Sequence, residues 1–200
     1  MTTIYFMRHS EVLKPMNIDN NDSLQLQNEK WTLTINGENI AKKKSELSEL
    51  KNFDHVYSSN YVRAIATAKY FTDKSINIME SFGERKFGIN KWEELPSDFG
   101  ERQFKDFDYK LKNGESINEV IIREEKALTE ILKNHRGEKI LIIGHSTALA
   151  ALFSKWCDIS STGPYKYKGV KFFAGKWNYC ETFKLTFDDD NNLLNIKNIK

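Results

Sequence analysis

Residues 139–146 read Lys139-Ile140-Leu141-Ile142-Ile143-Gly144-His145-Ser146. A run of branched aliphatic residues without polar interruption reads as a strand covered on both faces, as in a parallel sheet. Gly144-His145-Ser146 ends it, and an apolar helix is expected from Thr147 to Trp156. Upstream, Ser116-Ile117-Asn118-Glu119 has the spacing of a capping box. The helix it opens carries Ile117, Val120, Ile121, Leu128, Ile131 and Leu132 on one side and closes at His135-Arg136-Gly137, cations and then glycine.

The same pattern repeats at the amino end. Thr3-Ile4-Tyr5-Phe6-Met7 is of buried-strand length and stops at Arg8-His9-Ser10. Residues 11–35 are polar and read as a long loop. A helix is expected from Asn36-Gly37, with Ile40, Ala41, Leu47 and Leu50 on one face. A second strand runs from about Asp54 to Tyr57, and a serine of Ser58-Ser59 is placed to cap the helix through Tyr61–Ala68. A third strand is expected at Ile76–Met79, and residues 81–114 read as an insertion of loops and short helices. Strand signals return at Lys171–Ala174 and Glu181–Phe187, followed by an Asp188–Asn192 turn and a last short strand forming an antiparallel edge. Strands alternating with helices predict an α/β fold with a mostly parallel central sheet and helices on both faces. One domain over 1–200 is expected, with 81–114 as a lid or insertion.

Composition limits the functional classes. The 200 residues are 40% hydrophobic and 29% charged, enough for a core and a solvated surface. A net charge of +2 with no dense basic stripe argues against nucleic acid. Neither a long apolar run nor a basic amphipathic segment points to a membrane, and no leader is read at residues 1–9. Cys157 and Cys180 form no disulfide or metal-binding motif, so a reduced, cytoplasmic setting is expected.

The chemistry is expected at the strand ends. His9 and His145 each follow a buried strand, and the carboxyl ends of parallel strands line the crevice where ligands bind. The helix starting at Ser146 turns its free N–H groups towards that crevice. Arg8 and Arg63 lie close by in the chain order of elements, in a protein with six arginines in all. Two guanidinium groups and two imidazoles at one sheet edge suit a phosphate. His55 and His135 are read as structural, no histidine pair has ligand spacing, and no metal is expected. Trp31, Trp92, Trp156 and Trp177 read as packing residues, Asp188-Asp189-Asp190 as a turn, and Arg85 as solvated. Aromatic residues within 97–112 make that segment the expected place of substrate choice.

These residues together resemble the histidine phosphatase superfamily, the phosphoglycerate mutase-like fold. The resemblance runs through Ile4–Ser10, Leu33-Thr34 with Gly37 and Ala41, and Tyr57-Ser58-Ser59 with Arg63-Ala64 and Thr67-Ala68. It continues through Glu84 with Phe87-Gly88 and Trp92-Glu93, Gly114-Glu115-Ser116 with Val120 and Arg123, and Ile142–His145. It implies a three-layer α/β/α sandwich and hydrolysis of a small phosphorylated metabolite through a phosphohistidine, without metal or other cofactor. It also implies roles: His9 as nucleophile, Glu84 as acid and base, and Arg8, Arg63 and a protonated His145 around the phosphate. Ser10 and Ser146 stand where the family has glycine, and their hydroxyls are expected to donate to phosphate. The family's asparagine after the nucleophile has Asn17 as its candidate. The resemblance leaves a phosphoglycerate-type mutase as the second reading, and a non-catalytic phosphate-binding module as a third of another class.

Overall fold

The computed structural model describes residues 1–14, 22–159 and 163–200. In chain order its elements are β1 (Thr2–Arg8), α1 (Leu24–Lys30), α2 (Ile35–Ser45), β2 (His55–Ser58), α3 (Val62–Ala68) and β3 (Asn77–Ile78). Then come α4 (Phe99–Lys105), α5 (Ile117–Asn134), β4 (Lys139–Gly144), α6 (Ser146–Phe153), β5 (Cys157–Asp158), β6 (Tyr165–Tyr167), β7 (Val170–Phe173), β8 (Thr182–Phe187) and β9 (Leu193–Ile199). The central sheet has the order β3-β2-β4-β1-β8-β9. Its first four strands are parallel, and β8 and β9 add an antiparallel edge.

Both faces of β1 and β4 are covered, which is why their sequences show no polar alternation. Ile4, Phe6, Ile140 and Ile142 pack with Leu128, Ile131 and Leu132 of α5 and Leu149, Leu152 and Phe153 of α6. Tyr5, Met7, Leu141 and Ile143 face the other way, onto Ala41 of α2, Ala64 and Ala68 of α3, and Phe53 and Phe71. Fully burying each such aliphatic side chain stabilises the fold by roughly 1.5–3 kcal/mol. The sheet is thereby the middle layer of three.

Local signals fix the elements with some departures from expectation. The capping box of α5 is formed, with the Ser116 hydroxyl and the Glu119 carboxylate each accepting from the other's backbone N–H. By contrast α2 starts earlier than Asn36-Gly37, because Thr34 caps it and accepts from the Gly37 N–H. Leu47 and Leu50 lie beyond its end, Leu50 in a 3-10 turn over Ser48–Leu50. Residues 11–35 are not all loop: Ser23 caps the short helix α1, which buries Leu24 and Asn28. Neither serine of Ser58-Ser59 caps α3, whose N-cap is Tyr61. Likewise α6 stops at Phe153, short of Trp156.

Two packing features set the position of the site. A Cβ on Gly37 would lie 2.2 Å from the Glu11 carbonyl oxygen, so only glycine lets the first turn of α2 sit against the chain leaving β1. On the far side, β5, β6 and β7 form a second, antiparallel sheet, of which only the last strand was expected. Its Tyr165 and Phe173 join Trp177 and Phe183 in an aromatic cluster with ring centroids 5.0–6.4 Å apart. That cluster holds the backbone of Trp177 beside the end of β1.

Candidate active site

The strand order brings the ends of β1, β2 and β4 side by side. Register pairs Arg8 with Gly144 and Ser58 with Ile143, so His9, Ser59 and His145 leave the sheet at one edge. The His9 N–H extends the ladder by donating to the Gly144 carbonyl at 3.0 Å. Their imidazole centroids are 5.1 Å apart. His9 is 7% exposed, and Ser59 and His145 are wholly buried.

Arg63, in the first turn of α3, lies between the two rings. Its Nε donates to His9 Nε2 at 3.2 Å, and its Nη2 lies 3.3 Å from His145 Nδ1. The remaining end, Nη1, donates to the Asn28 carbonyl of α1. These contacts fix the tautomers. An imidazole nitrogen facing a guanidinium N–H is an acceptor, so the ring proton sits on the opposite nitrogen. His9 Nδ1–H donates to the Ser10 carbonyl at 2.7 Å, and His145 Nε2–H to the Ser59 hydroxyl at 2.8 Å.

Burial, and then the Arg63 charge, push both histidines well below their ordinary pKa, so both are neutral at pH 7 in the free protein. Burial also lowers Arg63, to about 10, which leaves it charged. Tyr61 closes the back of the pocket, its ring 4.5 Å from both the His145 ring and the Arg63 guanidinium carbon.

Arg8 approaches from the other side. Its Nη1 donates to the Trp177 carbonyl at 2.9 Å, and the guanidinium lies over the Tyr179 ring at 5.0 Å. Its Nε is buried without a hydrogen-bond partner among the described residues. Such a donor costs about 1–3 kcal/mol unless something accepts from it.

Glu84 enters from the segment after β3. Its Oε1 accepts from the backbone N–H of Arg85 at 2.9 Å and of Ala148, in the first turn of α6, at 3.1 Å. Arg123 of α5 holds this segment in place by donating to the carbonyls of Ser81 and Glu84 while forming a two-point ion pair with Glu115. A cavity of about 140 Å³ opens beside Glu84, lined by Gln25, Asn60, Tyr61, Glu80 and Lys86 among others.

The serines behave differently from each other. The Ser10 hydroxyl donates to the Gly37 carbonyl at 2.6 Å and is fully buried, so it is spent on the α2 contact and does not face the pocket. The expectation that it donates to phosphate is corrected on that ground. Ser146 is the first residue of α6 and half-buried at the pocket edge. Asn17 lies outside the described residues. Arg85 is not solvated: it is clamped by the Gln103 side chain and lies over the rings of Phe87 and Phe99.

Sequence reasoning missed two contributors. Ser59 was read as a helix cap but supports His145, and Asn28, which accepts from Arg63, belongs to the unrecognised α1. Apart from the site's contacts, Glu124 is buried in α5 with neither carboxylate oxygen hydrogen-bonded among the described residues. Burial pushes its pKa up to about 8.

Comparison with known proteins bears on this arrangement. Fructose-2,6-bisphosphatase of Saccharomyces cerevisiae is 28% identical over 111 residues, which are 52% of this chain. The chain spans about a quarter (24%) of the length of that curated relative. Among solved structures, phosphoserine phosphatase of Entamoeba histolytica in complex with 3-phosphoglyceric acid superposes with a TM-score of 0.68 at 18% identity, covering 100% of this chain and 98% of that one. The mycobacterial glucosyl-3-phosphoglycerate phosphatase complexed with VO3 gives 0.71 at 15% identity, covering 99% and 97%. At such identities the likeness speaks to the fold, an α/β architecture of the phosphoglycerate mutase type. The family model of the histidine phosphatase superfamily (branch 1) matches residues 4–198, and the chain belongs to that superfamily.

Proposed function

We propose that the protein hydrolyses phosphate monoesters of small metabolites through a phosphohistidine on His9. The observation that carries this reading is Arg63 buried between two neutral imidazoles, with the His9 Nε2 lone pair directed at its Nε. A neutral imidazole with its proton held on Nδ1 by a backbone carbonyl is a ready nucleophile at Nε2.

In the first step His9 Nε2 forms a bond to phosphorus and the ester P–O bond breaks. The leaving oxygen takes a proton from Glu84, on the side where the cavity opens. In the second, water attacks the phosphohistidine, Glu84 takes a proton from it, and the P–N bond breaks to return neutral His9 and phosphate. The N–H groups of Arg63 and Arg8, with the free amide groups of α6 and the Ser146 hydroxyl, hold the phosphoryl oxygens. A bound phosphate dianion supplies the counter-charge that a proton on His145 Nδ1 requires.

Residues 81–114, read as an insertion within one domain, form the wall on the leaving-group side. Gln103 ties this segment to the Tyr109 and Glu115 carbonyls. Among the described residues no helix is long and apolar enough to cross a membrane. The reading is tested by steady-state turnover of an aryl phosphate with wild type and His9→Ala, with and without chelator. Chelator-insensitive turnover lost in the variant supports it, whereas turnover surviving His9→Ala overturns the nucleophile. Transfer between phosphoglycerates without net hydrolysis would mark a mutase instead.

A further inference from the structure

The two histidines expected to be merely structural come together at the opposite end of the sheet. His55 opens β2, His135 caps the C-terminus of α5, and Glu138 leads into β4. Chain separation hides the group, but the parallel register of β2 and β4 sets His55 against Ile140, two residues past Glu138. His55 Nε2 is 3.2 Å and His135 Nδ1 2.9 Å from the same oxygen, Oε2 of Glu138. The ring centroids are 4.1 Å apart, and the three candidate ligand atoms all lie within 4.8 Å of one another.

We propose that His55, His135 and Glu138 form a divalent transition-metal site of zinc type, remote from the phosphate pocket. Three features carry it. Two imidazole nitrogens and a carboxylate oxygen are a zinc-type donor set. With bonds of about 2.0–2.2 Å, neighbouring ligand atoms of a tetrahedral ion stand roughly 3.3–3.6 Å apart, and the two imidazole nitrogens already lie 3.2 and 2.9 Å from the carboxylate oxygen. The third is the support of the ligands. The far nitrogen of His135, Nε2, is 2.8 Å from the Tyr57 hydroxyl, an outer partner of the kind that fixes the tautomer of a metal-bound imidazole.

The turn carrying two of the ligands is itself held. Thr2 Oγ1 donates to the His135 carbonyl and accepts from the Gly137 N–H, and Glu138 O accepts from the Thr3 N–H at 3.0 Å. The side chains are 38%, 17% and 37% exposed, which gives an ion access from solvent. Among the described residues no fourth His, Cys, Asp or Glu joins the group, so water completes the shell. On binding, the ion takes the place of the hydrogen bonds between each imidazole and the carboxylate, and each neutral imidazole ligates with its proton on the far nitrogen. It then ties the end of α5 to β2 and to the start of β4. This inference stands apart from the phosphatase reading.

The test is titration of the intact chain with Co²⁺, read by its visible ligand-field bands, and with Zn²⁺, read by thermal melting. The expected result is one Co²⁺ per chain and a higher Tm with Zn²⁺, both lost in His55→Ala and in His135→Gln. Tyr57→Phe should weaken binding by roughly 10–100-fold, as loss of an outer-shell partner does. His9→Ala should bind like wild type, which separates this group from the buried pair at the phosphate pocket. Absence of a one-equivalent Co²⁺ spectrum overturns the proposal. So does a spectrum kept in both distal variants, or one lost in His9→Ala. Metal-free melting of each variant shows whether it folds, and the two distal variants fail independently.

Discussion

Arg63 reaches His9 Nε2 and His145 Nδ1 with two N–H groups of one guanidinium, 3.2 and 3.3 Å away, while its third end is tied to the Asn28 carbonyl. The fork is therefore already oriented before any phosphate arrives. A lysine offers one point charge and cannot span both rings. Arg63→Lys and Arg63→Ala should both lower kcat, by about 10²–10³-fold, as loss of one preorganised donor does elsewhere. Steady-state kinetics checks this, with melting curves to show that the buried pocket still folds. A lysine variant with near-normal kcat would remove Arg63 from the chemistry.

Glu84 should matter in proportion to how poor the leaving group is. Its Oε1 is held by two backbone N–H groups, so substitution by glutamine preserves the size and one acceptor at that position. Only proton transfer is lost, and such transfer contributes typically about 10²–10⁴-fold. Glu84→Gln should lose that much in kcat/KM on an alkyl phosphate and far less on p-nitrophenyl phosphate. Equal losses on both would show that Glu84 positions the substrate and does not protonate it.

Ser10 separates structure from binding. Its hydroxyl contact with the Gly37 carbonyl is buried, and its own N–H donates to Thr67 Oγ1 at 3.0 Å. Ser10→Ala should reduce stability by about 1 kcal/mol or somewhat more, since the Gly37 carbonyl is left buried without this donor. KM for a phosphate ester should stay within about twofold, a change worth less than 0.5 kcal/mol. Urea unfolding and kinetics on one preparation decide it, and a large rise in KM at unchanged stability would make Ser10 a phosphate ligand.

What was legible in the sequence follows from how local each signal is. The strand 139–144, the capping box at Ser116 and the strand-end histidines are set by neighbours in the chain, and they stand where expected. The helix α1 escaped because only Leu24 and Asn28 of its seven residues are buried, which leaves no apolar stripe to read. Its one local cue was Ser23 before it. The β5 and β6 strands are two and three residues long, too short for alternation to show. Ser10 misled because the direction of its hydroxyl depends on α2, which starts a loop and a helix later. In the His55, His135 and Glu138 group only the last two are close in the chain, and His55 joins them through the pairing of β2 with β4.

The same buried groups give stability a definite pH dependence. Glu124 has its pKa pushed up to about 8 by burial in the fold and an ordinary value near 4.5 in the unfolded chain. Between those values the folded state binds more protons, so stability falls as pH rises, by up to about 1.4 kcal/mol per pH unit. His9 and His145 act in the opposite sense. Both are depressed below 6.5 in the fold, so the unfolded chain binds their protons first and stability falls as pH drops below that value. Two histidines outweigh one glutamate there, which puts the maximum these groups produce near pH 6.5. Both oxygens of Glu124 lack hydrogen-bond partners among the described residues, so glutamine forfeits no contact and removes only the ionisation. Urea unfolding from pH 5 to 9 should show Glu124→Gln losing the fall between 6.5 and 8 while keeping the acid-side fall. Parallel curves for the two proteins would show that Glu124 does not titrate in the folded state across this range.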